Sequence, residues 1–419
     1  MRPPQLQSAV EFQTVSFFLL DGLANGVDFA FHFWMGRVLI PSDFAILQTL
    51  NSVVLIYTTA SGVFQPVVGR FVAEARGRAQ SDSIEGIFQT FLRAGFWLGI
   101  VFATLMLLLS NPIARMLNLP NWTVRIGAGV VFLSTLRPIA VGVLQGREDF
   151  LSFGLTRLAL SLGRIILVFF LIQAGLGLTG AVWALPFGWF VSLLCAFLLL
   201  RKSLWTEHAT PKALLREGWR LSFYALLAYV MYMLLTSLDL MWVNRTLEGE
   251  LAGAYASLVL LRRIVALLPG VAVTVMFPHI AKTLAAGRPP DRLLAQTAGI
   301  ILAASGALTF LYFIFDDLFI TFFFGQAYQA AAPLLGWMGI AMIGVSLSSV
   351  WLNYFLAEKP RNFVILLGIA VALEWLLLNL VPRSLQGAVL AFGGTGWLLT
   401  LGGLILYQIA RLPRTSSSQ

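Results

Sequence analysis

The chain has 419 residues, of which 58% are hydrophobic and only 11% charged, and its mean hydropathy is +0.84. A soluble domain carries roughly 25% charged residues, so this composition excludes an ordinary water-soluble enzyme and indicates a polytopic membrane protein. A net charge of +9 would suit a nucleic-acid partner, but the basic residues cluster between apolar stretches, where membrane topology explains them and no nucleic acid is expected. The single cysteine, Cys195, rules out an internal disulfide, and His32, His208 and His279 are too scattered for a zinc centre, so no metal is expected.

Apolar periodicity predicts an all-α chain of about twelve spans. They lie near 14–39, 43–70, 88–110, 124–146, 151–174, 179–200, 219–244, 252–281, 292–315, 330–357, 363–381 and 387–409. An even count puts both termini on one side. That side collects Arg2, Arg70, Arg76, Arg78, Arg147, Arg201, Lys202, Lys212, Lys282, Arg288, Arg292, Lys359, Arg361 and Arg414. The other holds only Arg37, Arg115, Arg125, Arg245 and Arg383, so both ends are expected in the cytoplasm.

The two halves repeat, with boundaries at 1–210 and 211–419. Asp28 and Phe44 match Asp239 and Tyr255 at the same separation, and Phe64-Gln65-Pro66 matches Met276-Phe277-Pro278. Gly180-Ala181-Val182 matches Gly387-Ala388-Val389. Six spans per half make parallel repeats, an architecture in which carriers bind substrate between the halves and alternate access by rocking them.

Charges inside the spans mark the candidate site, because each is costly in lipid unless it faces protein or water. In the first span Asp21, Asn25, Asp28 and His32 form a stripe on one helical face; in the fifth, Arg157, Ser161 and Arg164 do the same. Counting from the span ends places Asp21 at the depth of Arg157 and Asp28 at that of Arg164. These residues either neutralise one another to position two helices or make a cationic cavity floor oriented by its acids. Arg137-Pro138 sits in the middle of the fourth span, and Arg93 lies close enough to the cytoplasm to snorkel.

The stretch 219–291 holds the densest constellation: Asp239, an acidic turn with Glu248 and Glu250, then the adjacent pair Arg262 and Arg263. These two arginines differ by about 100° around a helix, so one is expected to face a cavity and the other to meet a carboxylate. Arginines exceed carboxylates inside the spans, which points to an anionic substrate, since guanidinium donates paired hydrogen bonds to phosphate. Asp239 and Glu374 form a candidate Na+ or H+ coupling site, unless they serve only as partners of the arginines. No catalytic constellation emerges, and no cofactor beyond a coupling ion is expected.

Several short motifs resemble those of the polysaccharide flippases. They are Leu117-Asn118-Leu119-Pro120 after Asn111-Pro112-Ile113-Ala114-Arg115, Leu144-Gln145-Gly146-Arg147-Glu148-Asp149-Phe150, and Ala252-Gly253-Ala254-Tyr255 followed by Leu268-Pro269-Gly270 and Phe277-Pro278. These flippases belong to the multidrug/oligosaccharidyl-lipid/polysaccharide exporter superfamily. The resemblance implies a V-shaped pair of six-helix lobes around a cationic cavity. Its implied substrate is an undecaprenyl-pyrophosphate-linked oligosaccharide, moved across a bacterial inner membrane by a monomer that associates with polysaccharide assembly enzymes. Twelve spans fit the O-antigen and capsule branch, whereas lipid II flippases typically carry two more helices. Arg262 or Arg263, with Arg164 and Arg157, would bind the pyrophosphate. A cation-coupled multidrug exporter of the same fold, and a membrane polysaccharide polymerase or ligase, stand as the alternatives.

Overall fold

The computed structural model describes residues 4–78, 81–201, 213–285, 289–358 and 360–411. The 210/211 boundary, Arg2, Lys202, Lys212, Arg288, Lys359, Arg414 and His208 lie outside them. Among the described residues every regular element is a helix. They form two compact units, Met1–Leu226 and Leu227–Gln419. Among the described residues ten helical stretches are long and apolar enough to cross a membrane, so the chain is a multi-pass membrane protein.

The first unit contains α1 (Pro4–Val38), α2 (Pro41–Gly62), α3 (Phe64–Gly77), α4 (Ser81–Leu108), α5 (Ser110–Leu117), α6 (Asn121–Gly146), α7 (Phe150–Gln173) and α8 (Gly177–Leu199). After it come α9 (Ala213–Leu235), α10 (Leu238–Thr246), α11 (Gly249–Ala285), α12 (Asp291–Ile314) and α13 (Asp316–Phe323). A 3-10 turn (Gln326–Leu334) then leads into α14 (Leu335–Glu358), followed by α15 (Pro360–Leu380) and α16 (Leu385–Arg411). The helices α1 and α11, 35 and 37 residues long, carry the interior charges of the first and eighth predicted spans.

Two predicted spans are not continuous helices. The second breaks at Val63, where α3 restarts with Pro66 in its first turn, a place that needs no backbone N–H. The seventh breaks at Thr236 and Ser237, between α9 and α10. Here the Thr236 hydroxyl donates back to the carbonyls of Tyr232 and Met233, both at 3.2 Å, a competition with the helix ladder that bends helices. The short helices α5 and α13 each follow the third span of their half, so the repeat extends to an element that apolar length alone does not reveal.

Packing repeats as well. In the first unit α6 is the central helix, against α3, α4 and α8; in the second α14 occupies the same place, against α11, α12 and α16. Phe71, Phe88, Phe91, Ile139 and Val143 interlock where α3, α4 and α6 meet. Lipid tails are as apolar as leucine, so close approach and interhelical hydrogen bonds must hold such helices together, each bond contributing about 0.6–2 kcal/mol. Gly146 shows the approach: a Cβ there would lie 2.5 Å from the Gly69 carbonyl oxygen. In the second unit Tyr312 donates to the Leu261 carbonyl at 3.0 Å, Ser305 to that of Val265 at 3.0 Å and Thr400 to that of Gly344 at 2.6 Å.

The flippase-like motifs of the first half turn out to be helix ends, whereas those of the second half lie within α11. Asn118 caps α5 in the left-handed conformation (φ 53°), and Pro120 directly precedes α6. Gln145 accepts a hydrogen bond from Gln65 at 3.1 Å, and Asp149 caps α7 by accepting from the Ser152 amide at 3.1 Å. Arg76 closes this turn by donating to the Arg147 carbonyl and pairing with Glu148 at 3.4 Å. These residues set the helix directions that bring the charged faces together.

Candidate functional site

In the first unit α1 packs along α7, and the two polar stripes meet as a ladder. Arg157 lies 3.5 Å from Asp21 and donates to Asn25 at 3.0 Å, while Asn25 donates to Asp21 at 3.1 Å. One rung further, Arg164 donates to Asp28 at 2.6 Å. The guanidinium of Arg164 also lies over the Phe31 ring at 5.3 Å. Gly188 of α8 makes this seat, because a Cβ there would meet the Leu160 carbonyl at 2.7 Å and the Arg164 Cβ at 3.2 Å. Beyond Asp28, the Gln48 side-chain nitrogen of α2 donates to His32 Nδ1 at 2.9 Å, which places the imidazole proton on Nε2, facing Asp28 at 4.0 Å.

The rungs differ in exposure. The Arg157 and Asp21 side chains keep 34% and 37% of their surface, whereas Arg164 keeps 8%. The ladder therefore has an accessible end and a sealed end.

Beside it lies Arg137 of α6, which stays in the first unit without a carboxylate partner among the described residues. Its Nε donates to Ser192 at 2.6 Å, Ser192 passes a 2.5 Å bond to the Thr156 carbonyl, and the guanidinium stacks 5.5 Å from the Trp189 ring. Its Nη2 is buried without a hydrogen-bond partner. Sequence reading noted Arg137 for its proline neighbour and left it out of the site. The signal that could have included it is the absence of any acid at its depth on a neighbouring span. Arg93 is exposed, as expected of a snorkelling residue.

In the second unit the helix break builds the centre. Asp239 begins α10 and is wholly buried. It accepts from the Tyr255 hydroxyl at 2.7 Å and from both guanidinium nitrogens of Arg262, one at 3.0 Å and the other closer still. The same Arg262 donates to the Thr236 carbonyl, freed by the break, at 2.7 Å, and packs 3.9 Å from the Phe392 ring. Of the adjacent arginines, then, Arg262 pairs with Asp239, and Arg263, about 100° away around α11, is half-buried.

Glu374 of α15 is wholly buried within electrostatic range of Asp239 and Arg262, and neither of its carboxylate oxygens has a hydrogen-bond partner among the described residues. A buried ionised carboxylate without a partner costs several kcal/mol, which a proton or a bound cation removes. The cluster thus pairs one acid completely and leaves a second without a hydrogen-bond partner among the described residues. Tyr255 and the Thr236 carbonyl are contributors that the sequence did not announce.

The fold and the description of the matching family agree. A family profile described as polysaccharide biosynthesis protein matches residues 13–284, more than half of the chain. No curated protein matches. Among solved structures, a multidrug resistance MATE family transporter of the MOP superfamily is similar over 96% of this chain and 99% of its own, with a TM-score of 0.78 and 14% identity. The lipid II flippase MurJ, in an inward closed conformation, is similar over 93% of this chain and 87% of its own (TM-score 0.68, 15% identity). A MOP superfamily transporter from Pyrococcus furiosus, described as having a binding pocket of reverse polarity, is similar over 96% of this chain and 94% of its own (TM-score 0.56, 15% identity). At such identities the likeness concerns the fold, and these proteins are transporters and flippases rather than enzymes. The chain belongs to the polysaccharide biosynthesis protein family and has the transporter fold of the multidrug/oligosaccharidyl-lipid/polysaccharide exporter (MOP) superfamily.

Proposed function

We propose that this protein is a flippase, not an enzyme. It carries an undecaprenyl-pyrophosphate-linked oligosaccharide from the cytoplasmic to the outer leaflet of a bacterial inner membrane by alternating access, with both termini in the cytoplasm. The observation that carries this reading is the surplus of guanidinium inside the spans. Asp21, Asp28 and Asp239 each meet an arginine, buried Arg137 meets no acid among the described residues, and Arg137, Arg157, Arg164, Arg262 and Arg263 outnumber Asp21, Asp28, Asp239 and Glu374. Such a surplus favours a phosphate-bearing head group over a cation.

Roles within the reading follow exposure. Arg157 and Arg263 keep accessible surface and take the pyrophosphate; Arg164 and Arg262, sealed against Asp28 and Asp239, hold the helices that present them. Asp21, Asn25 and Asp28 orient the Arg157 and Arg164 head groups. Glu374, with Asp239 beside it, is the coupling site for H+ or Na+. One copy suffices for this cycle, and assembly enzymes of the same polysaccharide supply and take up the lipid-linked sugar.

The test is reconstitution in liposomes with the lipid-linked oligosaccharide, scoring exposure of inner-leaflet sugars to an impermeant glycosidase. Faster exposure by wild type, reduced in Arg157→Gln and Arg263→Gln, is the expected result. Uptake of cationic dyes without sugar exposure would instead make the protein a multidrug exporter, and a covalent change in the sugar would make it a polymerase or ligase.

A further inference from the structure

The second unit holds a slot of about 330 Å³ between α12, α14 and α16. Along α12 it runs from Asp291 to Leu302, with Leu347 and Trp351 of α14 and Thr400 to Tyr407 of α16 as the other walls. The hydroxyl of Thr400 is used up by the Gly344 carbonyl, so the walls are apolar except at one end. There the Tyr407 hydroxyl donates to the Asp291 carboxylate, at the first residue of α12. Arg292, exposed, stands next to it in the chain.

Length and charge together identify an occupant. Eleven helical steps from Asp291 to Leu302 span about 16 Å, half of a hydrocarbon core of about 30 Å. The slot is therefore one leaflet deep, apolar along its length, and has an acid and a base side by side at its mouth. We propose that it seats one acyl chain of an aminophospholipid, with the ethanolamine nitrogen on Asp291 and the phosphate beside Arg292. A polyprenyl pyrophosphate has a tail that would fit, but its head group offers no cation to Asp291 and brings more negative charge than Arg292 alone balances. Charge complementarity thus separates a resident zwitterionic lipid from the transported one.

The seat reaches the central cluster through α12. Ser305 and Tyr312 of that helix bond the Val265 and Leu261 carbonyls on either side of Arg262, so a lipid that braces α12 also steadies α11.

The experiment is native mass spectrometry of the full chain, purified in detergent and given dioleoyl phosphatidylethanolamine, dioleoyl phosphatidylglycerol or undecaprenyl pyrophosphate at equal concentration. Wild type should retain phosphatidylethanolamine in preference to both. Filling the slot, by Ala298→Trp or at the more exposed Ala295→Trp, should weaken that retention about tenfold, and Asp291→Asn should abolish the preference over phosphatidylglycerol. Equal retention by both tryptophan variants would overturn the proposal. So would displacement of phosphatidylethanolamine from wild type by either anionic lipid, a measurement that needs no variant to fold.

Discussion

The two units solve one electrostatic problem in different ways. In the first, Asp28 of α1 faces Arg164 of α7. In the second, Asp239 stands at the position matching Asp28, and Glu374 lies 14 residues into α15 from Pro360, as Arg164 lies 14 into α7 from Phe150. The cation of the first unit is thus replaced by an acid in the second. The second unit takes its cation from α11 instead: the offset that relates Phe44 to Tyr255 relates Asn51 to Arg262. Tyr255 also adds a hydroxyl bond to Asp239 that Phe44 cannot make. A balanced, partly accessible ladder on one side therefore corresponds to a sealed cluster with one acid to spare on the other. The lesson is that a repeat conserves where charge sits more faithfully than its sign, and that the spare acid is where an ion can act.

Removing the relocated cation gives the largest expected effect. Arg262→Asn leaves two buried carboxylates without a counter-ion and should lower stability by about 3–5 kcal/mol. Thermal unfolding in detergent reads this directly. If the comparison is right, Arg262→Asn with Glu374→Arg rebuilds the arrangement of the first unit and recovers much of the loss. A double variant as unstable as the single one would break the equivalence of Glu374 and Arg164.

The corresponding cut in the first unit should cost less. Asp28→Asn strands Arg164, but Asp28 keeps 33% of its side-chain surface, so water compensates part of the lost pair. A loss of about 1–3 kcal/mol is expected in the same unfolding measurement. A loss as large as that of Arg262→Asn would mean the ladder is as sealed as the cluster.

Glu374→Gln sharpens the difference in function rather than stability. It removes the one buried acid whose oxygens have no hydrogen-bond partner among the described residues, so stability should stay within about 1 kcal/mol of wild type. Sugar exposure in liposomes should lose its response to an imposed H+ or Na+ gradient. An unchanged response would remove the coupling role from this residue.

How much of this was legible in the sequence varies with the physics involved. Spans follow from apolar length, so ten of the twelve predicted positions recur as helical stretches apolar enough to cross a membrane, while the first and eighth fall on the long helices α1 and α11. The rungs Asp21–Arg157 and Asp28–Arg164 were legible too, because depth along two parallel spans can be counted from their starts. The choice between Arg262 and Arg263 was not, since their neighbours in sequence are equally apolar and only packing fixes which face turns inward. Nor were the breaks before α3 and α10. The second is made by a threonine hydroxyl bonding backwards, a competition that many threonines enter without breaking a helix. Thr236 matters because Arg262 stands ready to take the carbonyl it frees.

The smallest expected change in stability belongs to the accessible end of the ladder. Arg157 pairs with Asp21 while keeping 34% of its side-chain surface, and pairs this exposed contribute about 0–1 kcal/mol. Arg157→Gln should therefore unfold almost where wild type does. Its effect on sugar exposure should nonetheless exceed that of Arg157→Lys, since lysine keeps the charge and loses only the planar pair of donors. If both variants flip at the wild-type rate, the ladder positions α1 against α7 and does nothing else. If glutamine slows flipping while stability holds, the accessible end is where the two units part in function as well as in structure: one meets the head group, the other meets the ion.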